Sequence, residues 1–314
     1  LTMTVPAMVV AAGTAEQKRR WLTWLAEAEA PVLAGALNEP SAAGSDLFDP
    51  APAPGSGLRT RAVRDGEVYV LTGSKAQWVT NAGAADAYLV FARTAPDRPP
   101  AESTSVFWVP ADAPGLTVGP RSELLGMRSG FHGELRLDAV RVPAADRIGP
   151  EDAALGLLTE ATPAMPVGLA AAFVGLARAA HELALEHAST RVSWGRPIRE
   201  HQAVALQLAD GAVELRQARL LVHEAAVVVD RALSGAAGPG ELAEPAVLVP
   251  AAKQRAVETA IANAERAVRI LGAAGVTRGS GAEKLLRDAW TGWSCDFTGD
   301  LLRLGVARAL GGRW

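Results

Sequence analysis

The chain has 314 residues, 49% of them apolar and 21% charged, which suits a soluble globular protein with two or more domains. A net charge of -3 offers no basic field to hold nucleic acid, and a single cysteine, Cys295, excludes a disulfide framework and fits a reducing cytoplasm. No run of about 18 apolar residues suggests a membrane span.

Residues 1 to about 30 read as helix, with Trp21, Leu22 and Leu25 at helical spacing among Glu16, Lys18, Arg19 and Arg20. The apolar opening, Leu1 to Ala12, has no basic stretch or cleavage site and reads as mid-helix rather than as a signal peptide. From 31 to about 150 Gly and Pro are frequent and β-rich runs recur at 67–72, 87–92, 105–109 and 134–142. Turn residues such as Arg64-Asp65-Gly66 separate them, and the spacing predicts a compact antiparallel barrel or sandwich. Helical patterns return over roughly 152–188, 198–233 and 242–274, with a flexible loop at 234–240 and a last helical part over about 281–310.

Four segments invite a chemical reading. The loop Gly35-Ala-Leu-Asn-Glu-Pro-Ser-Ala-Ala-Gly-Ser-Asp46 could present backbone N–H groups to a flavin or phosphate, or be a plain loop. In Lys75-Ala-Gln-Trp-Val-Thr-Asn81, Trp78 and Thr80 share one strand face and could wall a planar ring, or be a core Trp and a surface Thr. Arg191-Val-Ser-Trp-Gly-Arg-Pro-Ile198 could grip a pyrophosphate bidentately, or be a solvated turn. Arg269-Ile-Leu-Gly-Ala-Ala-Gly275 allows close backbone approach, to a ligand or to a neighbouring helix. The five histidines show no metal-ligand spacing, and no metal is assigned. Trp290, Trp293 and Phe297 read either as the filling of a pocket for a short or unusual substrate or as core, and Cys295 as a buried small residue.

Taken in order, these segments resemble the acyl-CoA dehydrogenase superfamily over essentially the whole chain. Asn38 to Asp46 is similar to its Thr-Glu-Pro-Gly-Ala-Gly-Ser-Asp loop, and Trp78-Val-Thr-Asn81 to its Trp-Ile-Thr-Asn strand. Leu125-Gly-Met-Arg-Ser-Gly-Phe-His132 with Val140-Arg-Val-Pro143 resembles the end of its β domain. Arg191-x-x-Trp-Gly with Gln202, Ile270 to Gly275, and Leu286-Arg-Asp-Ala289 resemble its C-terminal signatures. The resemblance implies an α+β fold: the end of an N-terminal helical domain at 1–30, a central antiparallel β-barrel domain at 31–150, and a C-terminal four-helix bundle at 151–314. It also implies that the chain begins inside the first of those domains.

The same resemblance implies FAD shared between subunits of a homo- or hetero-oligomer. Leu37, Asn38, Gly44, Ser45, Trp78, Val79 and Thr80 would contact one flavin. Arg191, Ser193, Trp194, Gln202, Arg269, Gly272, Ala273 and Asp300 would complete cofactor binding, in part on the neighbour's FAD. Ser45 and Phe297 would meet the substrate. That substrate would be an acyl thioester of CoA or of an acyl carrier protein, desaturated at its α,β bond, with electron-transfer flavoprotein or oxygen as the acceptor.

One position departs from the pattern. The family's catalytic glutamate falls on Thr298, whose hydroxyl is no base near neutral pH. The alternative position, counted back from Arg191, falls on Met165. Glu160, Asp296 and Asp300 are the carboxylates near enough in sequence to substitute. Asn38, Arg269 and Asp300 also replace usual flavin contacts, and a carboxylate at 300 would repel a pyrophosphate. Three readings follow: a dehydrogenase with an unusual base, a base-lacking subunit of a heteromeric dehydrogenase, or a diverged flavin-dependent oxygenase. The Leu-Asn-Glu-Pro loop is similar to that of heteromeric dehydrogenases of actinobacteria.

Overall fold

The computed structural model describes residues 4–42, 44–49, 52–53, 56–161, 163–236 and 244–311. They form two compact units: Leu1–Glu123 with Arg128–Thr162, and Leu124–Met127 with Pro163–Trp314.

The first unit opens with α1 (Thr4–Ala12), then α2 (Ala15–Gln17), a π turn (Lys18–Leu22) and α3 (Thr23–Glu27). The single helix expected over 1–30 is thus broken. At the break Thr14 and Gln17 close a capping box, each side chain taking the other's backbone N–H, so a new helix starts after Gly13.

Eight strands follow: β1 (Leu33–Ala36), β2 (Arg61–Asp65), β3 (Val68–Thr80), β4 (Ala87–Arg93), β5 (Thr104–Pro110), β6 (Leu116–Arg121), β7 (His132–Pro143) and β8 (Arg147–Ile148). The one-turn helix α4 (Gly44–Leu47) lies between β1 and β2. The sheet order is β6-β7-β3-β2-β4-β5-β8, with β1 also on β4. This corrects the expected antiparallel barrel: the sheet is mixed and its ladder is open. β1 runs parallel to Ala87–Val90 of β4, and β2 meets Arg93 further along the same edge. The long excursion between β1 and β4 allows the parallel return. At the ends, β6 carries Pro120, which cannot donate to a further ladder, and β8 is two residues long.

β4 and β5 are buried on both faces, as their unbroken apolar runs require. One face packs Tyr69, Leu71, Val90, Phe107, Leu135 and Val140 together. The other packs Leu89, Phe91, Val106 and Trp108 under the helices, where Trp21 stacks on Trp108 at 4.7 Å. The last helix of this unit is α5 (Ala154–Ala161).

The second unit is helical: α6 (Ala164–Thr190), a short hairpin of β9 (Val192–Ser193) and β10 (Arg196–Pro197), α7 (Gln202–Leu233), α8 (Glu244–Leu271), α9 (Ala282–Thr291) and α10 (Gly299–Ala309). The helix expected over 152–188 is split at Pro163, whose ring disfavours helix at the residue before it. The part expected over 281–310 is split by the turn 292–298. The loop expected at 234–240 lies outside the described residues from 237 onward. α6 is long and apolar enough to cross a membrane by length and composition. Here its Ala170, Phe173, Ala177, Ala180, Ala184 and Ala188 form a buried stripe against α8 and α7, and the small alanines let the helices approach closely.

Candidate active site

In the first unit, the loop after β1 and the end of β3 are knitted together. Ala76 N donates to Asn38 O at 2.9 Å, and a bridge between Glu39 and Ala42 closes the turn between them. Beneath lies a buried ion pair, Lys75 Nζ to Glu39 Oε1 at 2.7 Å. The Glu39 carboxylate also accepts from Arg59 N at 2.5 Å and Thr60 N at 3.0 Å, and Lys75 donates to Leu37 O at 3.3 Å. Burial pushes the Glu39 carboxyl up, but the Lys75 ammonium and these hydrogen bonds outweigh it and hold the group below its usual range. Burial pulls Lys75 down to about 8 against the attraction of Glu39.

On this base, Val79 points into the core, while Trp78 stands 45% exposed and Thr80 is half-buried. The expectation that Trp78 and Thr80 share an open face is what the strand alternation gives. Leu37, Asn38 and Gly44, in the segment that follows β1, are half-buried. The side chain of Ser45 lies outside the described residues.

In the second unit, the named residues fall into two groups. A Cβ on Gly211 of α7 would strike Asn263 of α8 and His181 of α6, so the three helices meet at one level. Phe173 of α6 meets Val257 of α8 around Gly292 in the same way. α6 and α8 therefore run in the same direction and α7 against them. The C-terminal ends of α6 and α8 and the start of α7 lie at one end of the bundle, which gathers Arg191, Ser193, Trp194, Gln202, Arg269, Gly272 and Ala273. All but the half-buried Ser193 are exposed. Trp194 is 93% exposed with a left-handed backbone, φ 51°. The hairpin that carries it is fixed by Ile198 N to Arg191 O at 2.8 Å and by His201 Nε2 to Ser193 O at 3.0 Å. Arg269 is paired with Glu265 at 3.4 Å on the same helix.

Phe297, Thr298 and Asp300 sit elsewhere, around Lys253 and Gln254 of α8. Fifteen residues of helix separate Gln254 from Arg269, about 22 Å. The buried Lys253 ammonium donates to Gly292 O at 3.2 Å and Phe297 O at 2.8 Å, clamping the turn from both sides. Within it Asp296 and Phe297 are both left-handed, φ 45° and 76°, a strained arrangement for side-chain-bearing residues. Burial raises the Asp296 carboxyl, with Lys253 opposing. Burial, with Asp296 beside it, pushes the Cys295 thiol up to about 11, so it is neutral. Thr298 is exposed and caps α10, its Oγ1 accepting from Leu301 N at 3.4 Å. Asp300 is exposed and paired with Arg303 at 3.3 Å, so part of its repulsion toward an anion is neutralised. Trp290 is 44% exposed, and Trp293 and Phe297 are half-buried. The three are thus not core, because the turn holds them at the rim of α9. Met165 stands half-buried in the first turn of α6.

Two family models match this chain: the acyl-CoA dehydrogenase middle domain over residues 34–140 and the acyl-CoA dehydrogenase C-terminal domain over residues 159–310. The chain belongs to the acyl-CoA dehydrogenase family. It is 33% identical over 302 residues to a cyclohex-1-ene-1-carbonyl-CoA dehydrogenase of Geobacter metallireducens, covering 96% of this chain and 74% of that protein. It is 36% identical over 298 residues to an acyl-CoA dehydrogenase of Bacillus subtilis, covering 95% of this chain and 73% of that one. The butyryl-CoA dehydrogenase structure from Megasphaera elsdenii superposes with a TM-score of 0.88 at 28% identity, over 99% of this chain and 76% of that one. Members of this family are flavoproteins that oxidise a CH–CH group of an acyl thioester, and the chain stands with them as an oxidoreductase of that class.

Sequence reasoning passed over Glu39, Lys75 and Lys253. All three are charged residues, and their burial comes from long-range packing. The one signal in the chain is that Glu39 and Lys75 sit directly inside the two flavin-like motifs.

Proposed function

We propose that the chain binds FAD and desaturates an acyl thioester at its α,β bond, with Thr298 standing where the family's base would be. The observation that carries this reading is the surface of the first unit, where the 37–42 loop and the Trp78 strand end are tied into one piece beside an open indole. That donor set suits a flat, partly apolar ring system: an indole face, a strand hydroxyl and loop backbone groups. In the second unit, an indole left 93% exposed on a strained turn suits a group that is covered in an assembly. Bound FAD would supply the hydride acceptor.

The chain's own residues then have these roles. Leu37, Asn38, Gly44, Trp78 and Thr80 hold one flavin. Arg191, Ser193, Trp194, Gln202, Gly272 and Ala273 reach a second one in a neighbouring subunit of a homo- or hetero-oligomer. Phe297 borders the acyl group. Thr298 orients α10 and moves no proton, so the α-proton leaves to a carboxylate other than residue 298. Asp296 is the carboxylate within the same turn, and burial raises it above the ordinary carboxylate range, with Lys253 opposing. Electrons leave to electron-transfer flavoprotein or oxygen, and the setting is the bacterial cytoplasm.

A second reading is favoured by the same turn: the chain is the base-lacking subunit of a heteromeric dehydrogenase. An exposed capping threonine leaves nothing at 298 to do the chemistry. The test is the visible spectrum of the purified chain, scored as FAD per polypeptide, followed by anaerobic titration with a panel of acyl-CoAs. About one flavin per chain, bleached by a thioester, supports the first reading. Flavin and bleaching that appear only on co-expression with a second dehydrogenase subunit support the other. A flavin that no thioester bleaches, but that consumes oxygen when reduced, overturns both.

A further inference from the structure

We propose that the Glu39–Lys75 ion pair is a positioning device that sets the geometry of the flavin-binding surface, so that FAD affinity depends on it beyond any contribution to stability. The inference rests on the reading that residues 37–45 and 78–80 face the flavin, and it deepens that reading.

The geometry is as follows. The two side chains are 0% and 2% exposed, and their polar atoms serve the loops on either side. Glu39 holds the backbone of Arg59 and Thr60, and Lys75 holds Leu37 O. Between Lys75 and Val79 the β3–β7 register shifts, so Ala76, Gln77 and Trp78 have no regular ladder to fix them. What orders this stretch is the Asn38 loop, through the Ala76 N–H, and Ser122 Oγ, which donates to Gln77 O at 2.6 Å. The Asn38 loop is held in turn by the ion pair.

Stability alone does not call for such a pair. Well-packed apolar residues of similar volume are commonly as stabilising as a buried ion pair, whereas a buried charged pair whose hydrogen bonds reach the backbone on both sides favours one arrangement of its surroundings. Here the surroundings are the two segments that would meet the cofactor. Pre-organised contacts raise affinity by removing the ordering that binding would otherwise require.

The experiment uses the full chain, with its co-expressed partner if one is needed, and compares wild type, Glu39→Gln and the double variant Glu39→Gln/Lys75→Met. It reads apo-protein Tm, FAD Kd by flavin fluorescence quenching, and hydrogen exchange over 37–42 and 76–80. The single variant strands the Lys75 charge and loses both Tm and FAD. In the double variant Tm returns close to wild type, while FAD Kd stays weaker by about tenfold or more and exchange protection is lost only in those two segments. A double variant with wild-type Kd and protection overturns the proposal, as does a loss of FAD that merely tracks Tm. A wild-type chain that takes up no FAD under any of these conditions overturns the functional reading as well, so the two failures are distinguishable.

Discussion

Replacing Thr298 by Glu tests the chemistry of the turn with little disturbance of its structure. Thr298 contributes one capping bond to Leu301 N at 3.4 Å, the long end of the range, and is exposed. Loss of an N-cap side chain costs about 0.5–2 kcal/mol. A carboxylate at a helix N-terminus returns about 0.3–1 kcal/mol. The net change therefore lies between a gain of about 0.5 and a loss of about 1.7 kcal/mol, a shift of a few degrees in Tm. The backbone at 298 is extended, φ -67° and ψ 155°, which glutamate adopts freely. The turn itself is held by Lys253 through the carbonyls of Gly292 and Phe297, neither of which the substitution touches. A positioned general base contributes about 10²- to 10⁴-fold to a proton transfer. On the base-lacking reading Thr298→Glu should therefore raise the rate of anaerobic flavin reduction by an acyl-CoA by about two orders of magnitude or more, and Thr298→Gln should not; with Asp296 already serving as base, neither variant should gain. The assay is stopped-flow bleaching of the FAD-loaded chain. If Thr298→Glu holds FAD, keeps its Tm and remains as slow as Thr298→Gln, the missing base is not what limits the reaction and the argument from position 298 fails.

Lys253→Met should destabilise the helical unit by about 2–4 kcal/mol, because two buried carbonyls lose their donor and Asp296 loses its compensating charge; chemical denaturation checks this. Trp194→Ala should leave the unfolding free energy of the isolated chain within about 0.5 kcal/mol of wild type, since the indole is 93% exposed, yet reduce FAD occupancy or oligomer mass by sedimentation; unchanged occupancy and mass would remove Trp194 from the site. The pH dependence of stability follows from Glu39, whose folded carboxyl is held below the ordinary 4.5. Near that pH the unfolded chain takes a proton that the folded chain refuses. The stabilisation is thus complete above it and is lost as pH falls further. Glu39→Gln should flatten this acid limb of the Tm profile.

The strands with strong alternation or unbroken apolar runs were legible from the chain. The runs at 87–92 and 105–109 match β4 and β5 within a residue or two, because burial on both faces leaves no room for polar side chains. β1 and β2 were not legible. Leu33–Ala36 is four residues long, and Arg61–Asp65 shows a single buried position, Ala62, so neither pattern differs from a loop. Helix interiors could be read, but helix breaks could not. Thr14 and Gln17 form a capping box only once the chain has turned at Gly13, and Pro163 lies between two segments that are both rich in Ala and Leu. Of the site, the two flavin-like motifs could be recognised. The charges that support them could not, since no local pattern marks a lysine as buried when its partner lies 36 positions away.

The support of the 292–298 turn explains how the chain can carry threonine at the position proposed for the base and keep its fold. The left-handed pair Asp296 and Phe297 is imposed by backbone carbonyls bound to Lys253, and α10 is seated on α8 by Gly299, where a Cβ would strike Gln254. Both devices act on the backbone, and neither uses the side chain at 298. Base and scaffold are separable in this turn, so the identity of residue 298 is free to follow the chemistry required of it. A set of substitutions at this one position therefore reads the reaction directly, with stability held nearly constant. Gly299 differs: the atoms that a Cβ would strike are the amide end of Gln254, which can give way, so Gly299→Ala should cost about 1 kcal/mol, the low end for overpacking. A much larger loss by chemical denaturation would show that Gln254, bonded to Glu258, holds α10 rigidly.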